Sequence, residues 1–82
     1  MNTKENLFSE FGLCLNNEGY PASLEIGKVY PVILDDEAAV HGYIRVIDES
    51  GEDYAYTANR FHLIQLPINV EKVLLFILQT YN

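Results

Sequence analysis

The chain has no tryptophan, a single cysteine, three prolines, and only five lysines and arginines against twelve acidic side chains. Each shortage excludes something. Cys14 alone can make neither an internal disulfide nor a structural zinc site, so the usual staples of very small domains are missing. It sits between Leu13 and Leu15, where it reads as a small buried hydrophobe rather than a reactive thiol. The net charge of −7 repels a phosphate backbone, which argues against nucleic-acid binding unless Lys28, Arg45 and Arg60 converge. The longest apolar run, Val73–Leu78, falls far short of the about 20 residues that span a bilayer, so no membrane partner is expected. Nor do the first residues, MNTKENLF, form a signal peptide. Together these shortages point to a reducing, cytoplasmic setting.

What is present can fold. With 82 residues, 49% hydrophobic and 21% charged, the chain is one domain with a modest core rather than a disordered segment. It shows no repeats or low-complexity tracts. Phe11, Leu13 and Leu15 alternate with Gly12 and Cys14, suggesting a first strand from about Leu7 to Leu15. A helix over Lys4–Phe11 stopped at Gly12 fits the same residues, and the two stay open. Asn16-Asn17-Glu18-Gly19 supplies a turn with Gly19 free to take positive φ, and Tyr20-Pro21 reads as extended. Lys28–Leu34 is rich in β formers, and Pro31 within it predicts a sheet edge or a bulge. Asp35-Asp36-Glu37-Ala38-Ala39 can hold one helical turn with Asp35 or Asp36 as its N-cap.

The clearest pattern is GYIRVIDESGEDYAYTANRFHLIQLP, Gly42 to Pro67. Gly42–Asp48 and Glu52–Thr57 pair across Ser50-Gly51, with Gly51 at positive φ. Thr57–Phe61 is a tight turn before a strand His62–Leu66, which Pro67 ends. From Ile68 to Tyr81 the period changes. Asn69 can cap a helix whose stripe Val70, Val73, Leu74, Ile77, Leu78 and Tyr81 would dock on the sheet, leaving Leu75 and Phe76 outside it. Val73–Leu78 taken alone also fits a strand.

Chemistry is thinly represented. The acidic segment Asp48–Asp53 lacks the D-x-[DN]-x-[DN]-G-x5-E spacing of a calcium loop, and reads as a solvated turn whose Asp side chains bond local amides. Asp48 and Asp53 can also pair with Arg45 or Lys28. Asp35, Asp36, Glu37 and His41 complete no metal-ligand pattern. Neither His41 nor His62 stands in a nucleophile–base motif, and no Gly-rich phosphate loop occurs. No catalytic residue, metal site or cofactor is therefore assigned, and an enzyme is not expected. Tyrosine, with a broad apolar ring and a polar tip, suits recognition. Tyr30, Tyr43, Tyr54 and Tyr56 are candidate partner contacts, together with Leu75 and Phe76.

Four blocks resemble a family of short uncharacterised bacterial proteins with a Src-homology-3-like barrel. They are C-x-x-N-x-G-Y at Cys14–Tyr20, K-x-Y-x-V at Lys28–Val32, R-V-I-D-E-S-G-E-D-Y-x-Y at Arg45–Tyr56 and F-x-x-x-x-L-P at Phe61–Pro67. The corner Ala58–Phe61 is also similar to the short 3₁₀ turn before the last strand of Src-homology-3 domains. The likeness spans about three quarters of the chain and implies a fold but no activity. Without tryptophan or an Ala-Leu-Tyr-Asp-Tyr run, the proline-rich-ligand groove of peptide-binding members does not carry over.

The resulting expectation is a mainly β, five-stranded, Src-homology-3-like antiparallel barrel over about 7–67 with a C-terminal helix over about 69–80. Its leading function is binding a protein or peptide partner. The alternatives are a structural part that homodimerises through the helix, and an acidic immunity or antitoxin-type inhibitor of a basic protein.

Overall fold

The computed structural model describes residues 10–81, and the side chains of all of these except 75 and 77–81. Five antiparallel strands, β1 (Glu10–Cys14), β2 (Val29–Ile33), β3 (Tyr43–Ile47), β4 (Asp53–Thr57) and β5 (Phe61–Ile64), form one sheet in the order β4-β3-β2-β1-β5. Two helices, α1 (Asp36–Val40) and α2 (Ile68–Tyr81), accompany it. Gly12 lies in the middle of β1 and stops no helix. The rest of the strand-or-helix alternative, residues 4–9, lies outside the described residues.

The five expected antiparallel strands are present, in one sheet that is not closed: among the described residues no ladder joins β4 to β5. The sheet must nevertheless curl. In a flat five-stranded sheet the outer strands would be about 19 Å apart. Here only the 3₁₀ turn Ala58–Arg60 links the two edges, and four residue steps reach at most about 14 Å. The turn residues cross the gap instead of pairing across it. Curling brings the rings of Tyr56 and Phe61 to 5.9 Å, centroid to centroid.

Alternation assigns two faces to the sheet. Register places Cys14 beside Phe61, Val32 beside Val46, and Ile44 beside Tyr56. These residues, with Tyr30 and Leu24, make the concave core. Each such side chain contributes about 1.5–3 kcal/mol through burial. Phe11, of opposite parity to Cys14, is equally buried but outside that cluster, as is its partner Pro31. Both faces of β1 and β2 are therefore covered at this point.

β2 is an inner strand, contrary to the edge that Pro31 predicted. Hydrogen bonds between Cys14 and the Gly27-Lys28 pair set the alternation along the β1–β2 ladder. By that alternation the missing Pro31 donor faces β3, one step beyond the last registered pair, Val32↔Val46. The ladder ends where the proline cannot continue it. The bulge lies elsewhere, at Gly27-Lys28. The Gly27 amide donates to the Cys14 carbonyl (2.8 Å) and the Cys14 amide to the Lys28 carbonyl (2.9 Å), with Gly27 at φ 86°. The β3–β4 hairpin uses the same device. Gly51 (φ 84°) donates to the Asp48 carbonyl at 3.0 Å, and the Asp48 amide to the Glu52 carbonyl at 3.3 Å. In both corners only glycine takes the left-handed residue without strain.

Local expectations are met at Gly19 (φ 86°) and at α1, where Asp35 caps by accepting from the Ala38 amide at 3.0 Å. Others are corrected. Tyr20-Pro21 opens a turn rather than an extended stretch, since Ser23 and Leu24 amides both donate to the Tyr20 carbonyl. Pro21, with φ fixed near −65°, suits the second position of such a turn. The last strand ends at Ile64 rather than Leu66. α2 is a helix over the ambiguous residues 73–78, but its cap is not Asn69. The Pro67 carbonyl accepts from the Val70 and Glu71 amides, so Asn69 lies inside the first turn. On the expected docking stripe, Val70 and Val73 are exposed and Leu74 is half-buried, as is Glu71 outside it. A helix apolar on most sides has no dominant stripe to fix its rotation.

Candidate functional site

Tyrosine parity on β4 decides what surface this fold offers. Tyr54 and Tyr56 share the concave face, whose neighbours on β3 are Val46 and Ile44. Tyr43 pairs with Thr57 on the opposite face and is exposed. The candidate tyrosines therefore do not form one patch. Tyr30 and Tyr56 are only 1% and 2% exposed and belong to the core. Their rings are buried and their hydroxyls point at carboxylates. Tyr54, at the outer end of the same face, stays 50% exposed.

Tyr20, not foreseen as a contact, completes the accessible part. Its ring meets Tyr56 edge-on at 5.0 Å and Tyr54 at 5.8 Å, while Tyr54 and Tyr56 lie 4.9 Å apart. The Arg60 guanidinium sits 4.9 Å from the Tyr20 ring centre, a cation–π distance. A hydrogen bond with Tyr20 pushes the Tyr54 hydroxyl's pKa up. Phe76 on α2 is 68% exposed, and the side chain of Leu75 lies outside those described.

Beneath the aromatic group, two adjacent acidic residues take different roles. Asp48, only 6% exposed, accepts from the Ser50 amide (2.9 Å), the Ser50 hydroxyl (2.6 Å) and the Tyr56 hydroxyl (2.6 Å). Burial would raise its pKa, but these hydrogen bonds outweigh it and hold the carboxyl below its ordinary value. The local-amide expectation holds; the solvated one does not. Glu49 turns the other way and accepts from Lys28 at 2.7 Å and from the buried Tyr30 hydroxyl at 2.6 Å. Those two bonds lower its pKa. For Tyr30 and Tyr56, burial first and the carboxylate partner second push the hydroxyls well above the ordinary value.

Arg45 bridges Asp53 at 3.0 Å and Asp35 at 3.3 Å, whereas Lys28 pairs with Glu49. Of the expected ion pairs, Arg45–Asp53 forms, and Asp48 pairs with neither cation.

A cleft of about 540 Å³ opens beside this network, between the turn after Tyr20 and the hairpin. Pro21, Ala22, Leu24 and Ile26 form its apolar wall, and Glu25 and Glu49 its acidic one. The Glu49 amide donates to the Ser23 carbonyl at 2.9 Å and joins the two sides. Among the described residues no group of three or more His, Cys, Asp or Glu is placed to hold a metal ion. Cys14 is buried, which pushes its thiol pKa up, away from the thiolate that reacts. No described helix is long and apolar enough to cross a membrane.

Sequence reasoning missed Tyr20 and Glu25, and considered Arg60 only as a cation converging with Lys28 and Arg45 rather than as a partner of the Tyr20 ring. The available signal was the pair of glycine corners: once Gly27 and Gly51 are read as bulges, Glu25 and Glu49 fall at adjoining loop tips. Searches for a related family model, curated protein or solved structure gave no match.

Proposed function

We propose that this chain is a non-enzymatic, Src-homology-3-like β module that binds a segment of a partner protein. The strand order and the one-turn crossing from β4 to β5 support a partly open barrel of that kind. The observation that carries the binding role is the half-exposed Tyr54 on the face that otherwise makes the core. Its ring is tilted against that of Tyr20, whose chain neighbour Pro21 lines an open cleft. Rigid aromatic rings next to a concave, partly apolar site are what recognition surfaces use. A single buried cysteine suits the reducing cytoplasm.

Selection of random displayed peptides on the folded protein tests this. Enriched sequences should bind with about micromolar affinity and shift amide resonances around Tyr20, Tyr54 and the cleft. No enrichment over the unselected library overturns the reading. A second reading, self-association through α2, is favoured by the exposure of Val73 and Phe76, three residues apart on one helix. Sedimentation equilibrium of wild type and Phe76→Glu separates the two. A concentration-dependent dimer lost in the variant supports self-association, and a wild-type monomer at high concentration removes it.

A further inference from the structure

Resting on the binding-module reading, we propose that the cleft between the Pro21–Ile26 turn and the β3–β4 hairpin receives an arginine side chain of the partner. The cleft has the two halves such a side chain needs. Pro21, Ala22 and Ile26 offer an apolar wall for the methylene stem, and Glu25 and Glu49 line the same space. Guanidinium presents donors in several directions from one plane and can address two carboxylates at once; an ammonium is a single point.

Charge counting points to one cation. Of the two cleft carboxylates, Glu49 is already paired with Lys28, which among the described residues leaves the charge of Glu25 uncompensated. The surrounding protein, at −7, steers a basic segment toward it.

The site is also held in place before any ligand arrives. The Tyr30 hydroxyl accepts from the Glu25 amide at 2.8 Å and donates to Glu49 at 2.6 Å. One buried side chain thus fixes the backbone of one wall and the carboxylate of the other. Tyr30, a candidate contact by sequence, acts as a positioning residue. A held carboxylate on one wall and a fixed backbone on the other lose less on binding than two mobile walls.

Peptides enriched on the wild-type protein decide the matter. They should carry a preferred arginine, and replacing it with the neutral isostere citrulline should weaken binding about tenfold or more. Glu25→Gln leaves the hairpin network untouched, because only the Glu25 amide takes part in it. That variant should show the same loss for the arginine peptide and little for the citrulline one. Tyr30→Phe should weaken the arginine peptide more than the citrulline one, which a general loss of fold would not do. Enriched peptides without a basic residue, or arginine peptides indifferent to Glu25→Gln, overturn this inference and leave the binding module standing. A selection that yields no binder removes the module itself, and the inference with it.

Discussion

Two acidic runs look alike in this sequence, Asp35-Asp36-Glu37 and Asp48-Glu49, and the fold uses them in different ways. Asp35 stays at the surface, caps α1 and touches Arg45. Asp48 is taken inside and accepts three hydrogen bonds, one from a core tyrosine. The difference lies in what stands opposite. Asp48 starts a hairpin that returns Tyr56 to it, whereas α1 returns only its own amides. An acidic residue's role is thus set by the strand that faces it, and composition does not carry that information.

The contrast can be broken at four points. Asp48→Ala should have the largest effect, about 3 kcal/mol, because it strips the turn of its acceptor and takes from the buried Tyr56 hydroxyl the carboxylate it donates to. For a domain of this size, that lowers the melting temperature by about 12–24 °C. A melt within a few degrees of wild type would mean the network is ornamental. Gly51→Val forces a branched side chain into the left-handed region and should cost about 2 kcal/mol. An unchanged melting point there would remove the bulged-corner reading.

Acid and alkali sharpen the comparison next. Asp48 and Glu49 have folded pKa values below their ordinary ones. Their contribution is complete above the unfolded carboxylate range, about pH 4–5, and is lost as pH falls through the folded values. Tyr30 and Tyr56 are raised. Their share is complete below about pH 10 and is lost as pH rises beyond it. Tyr56→Phe should cost about 1.5 kcal/mol at neutral pH and flatten both flanks of a urea-midpoint profile. Parallel profiles for wild type and variant would contradict the assignment. Smallest of all, Asp35→Ala and Arg45→Ala should move the melting point less than Tyr56→Phe, since both side chains are solvated and such pairs are screened. A larger shift from either would erase the distinction between the two runs.

The hairpin was legible because Gly51, the flanking β formers and the spacing to Phe61 all agree on one local structure. α1 was legible for the same reason, with its cap narrowed to Asp35 or Asp36, of which the fold uses Asp35. Pro31 misled because a proline excludes only one hydrogen bond, and an inner strand can arrange for its ladder to end there. The tyrosine face misled for a different reason. Alternation says which residues share a face, but not which face curls inward, and that is decided by the short link Ala58–Arg60. The cleft rests on Glu25 and Glu49, which lie far apart in the chain and meet only through the Tyr30 hydroxyl. No local pattern announces that meeting.

The pairing of β1 with β5 has a consequence for how the protein is made. Val46 meets Tyr54 across a short hairpin, but Cys14 must find Phe61, about 47 positions along the chain. Closing the longer loop costs about 1.6 kcal/mol more chain entropy, roughly a tenfold slower encounter. The β1–β2–β3–β4 meander can therefore assemble while the free edge of β1 waits for β5. On a ribosome, the sheet stays incomplete until the residues of β5 have cleared the exit tunnel. Until then β1 is paired on one side only, with β2, and its other edge stays open, the form of this protein most in need of a chaperone.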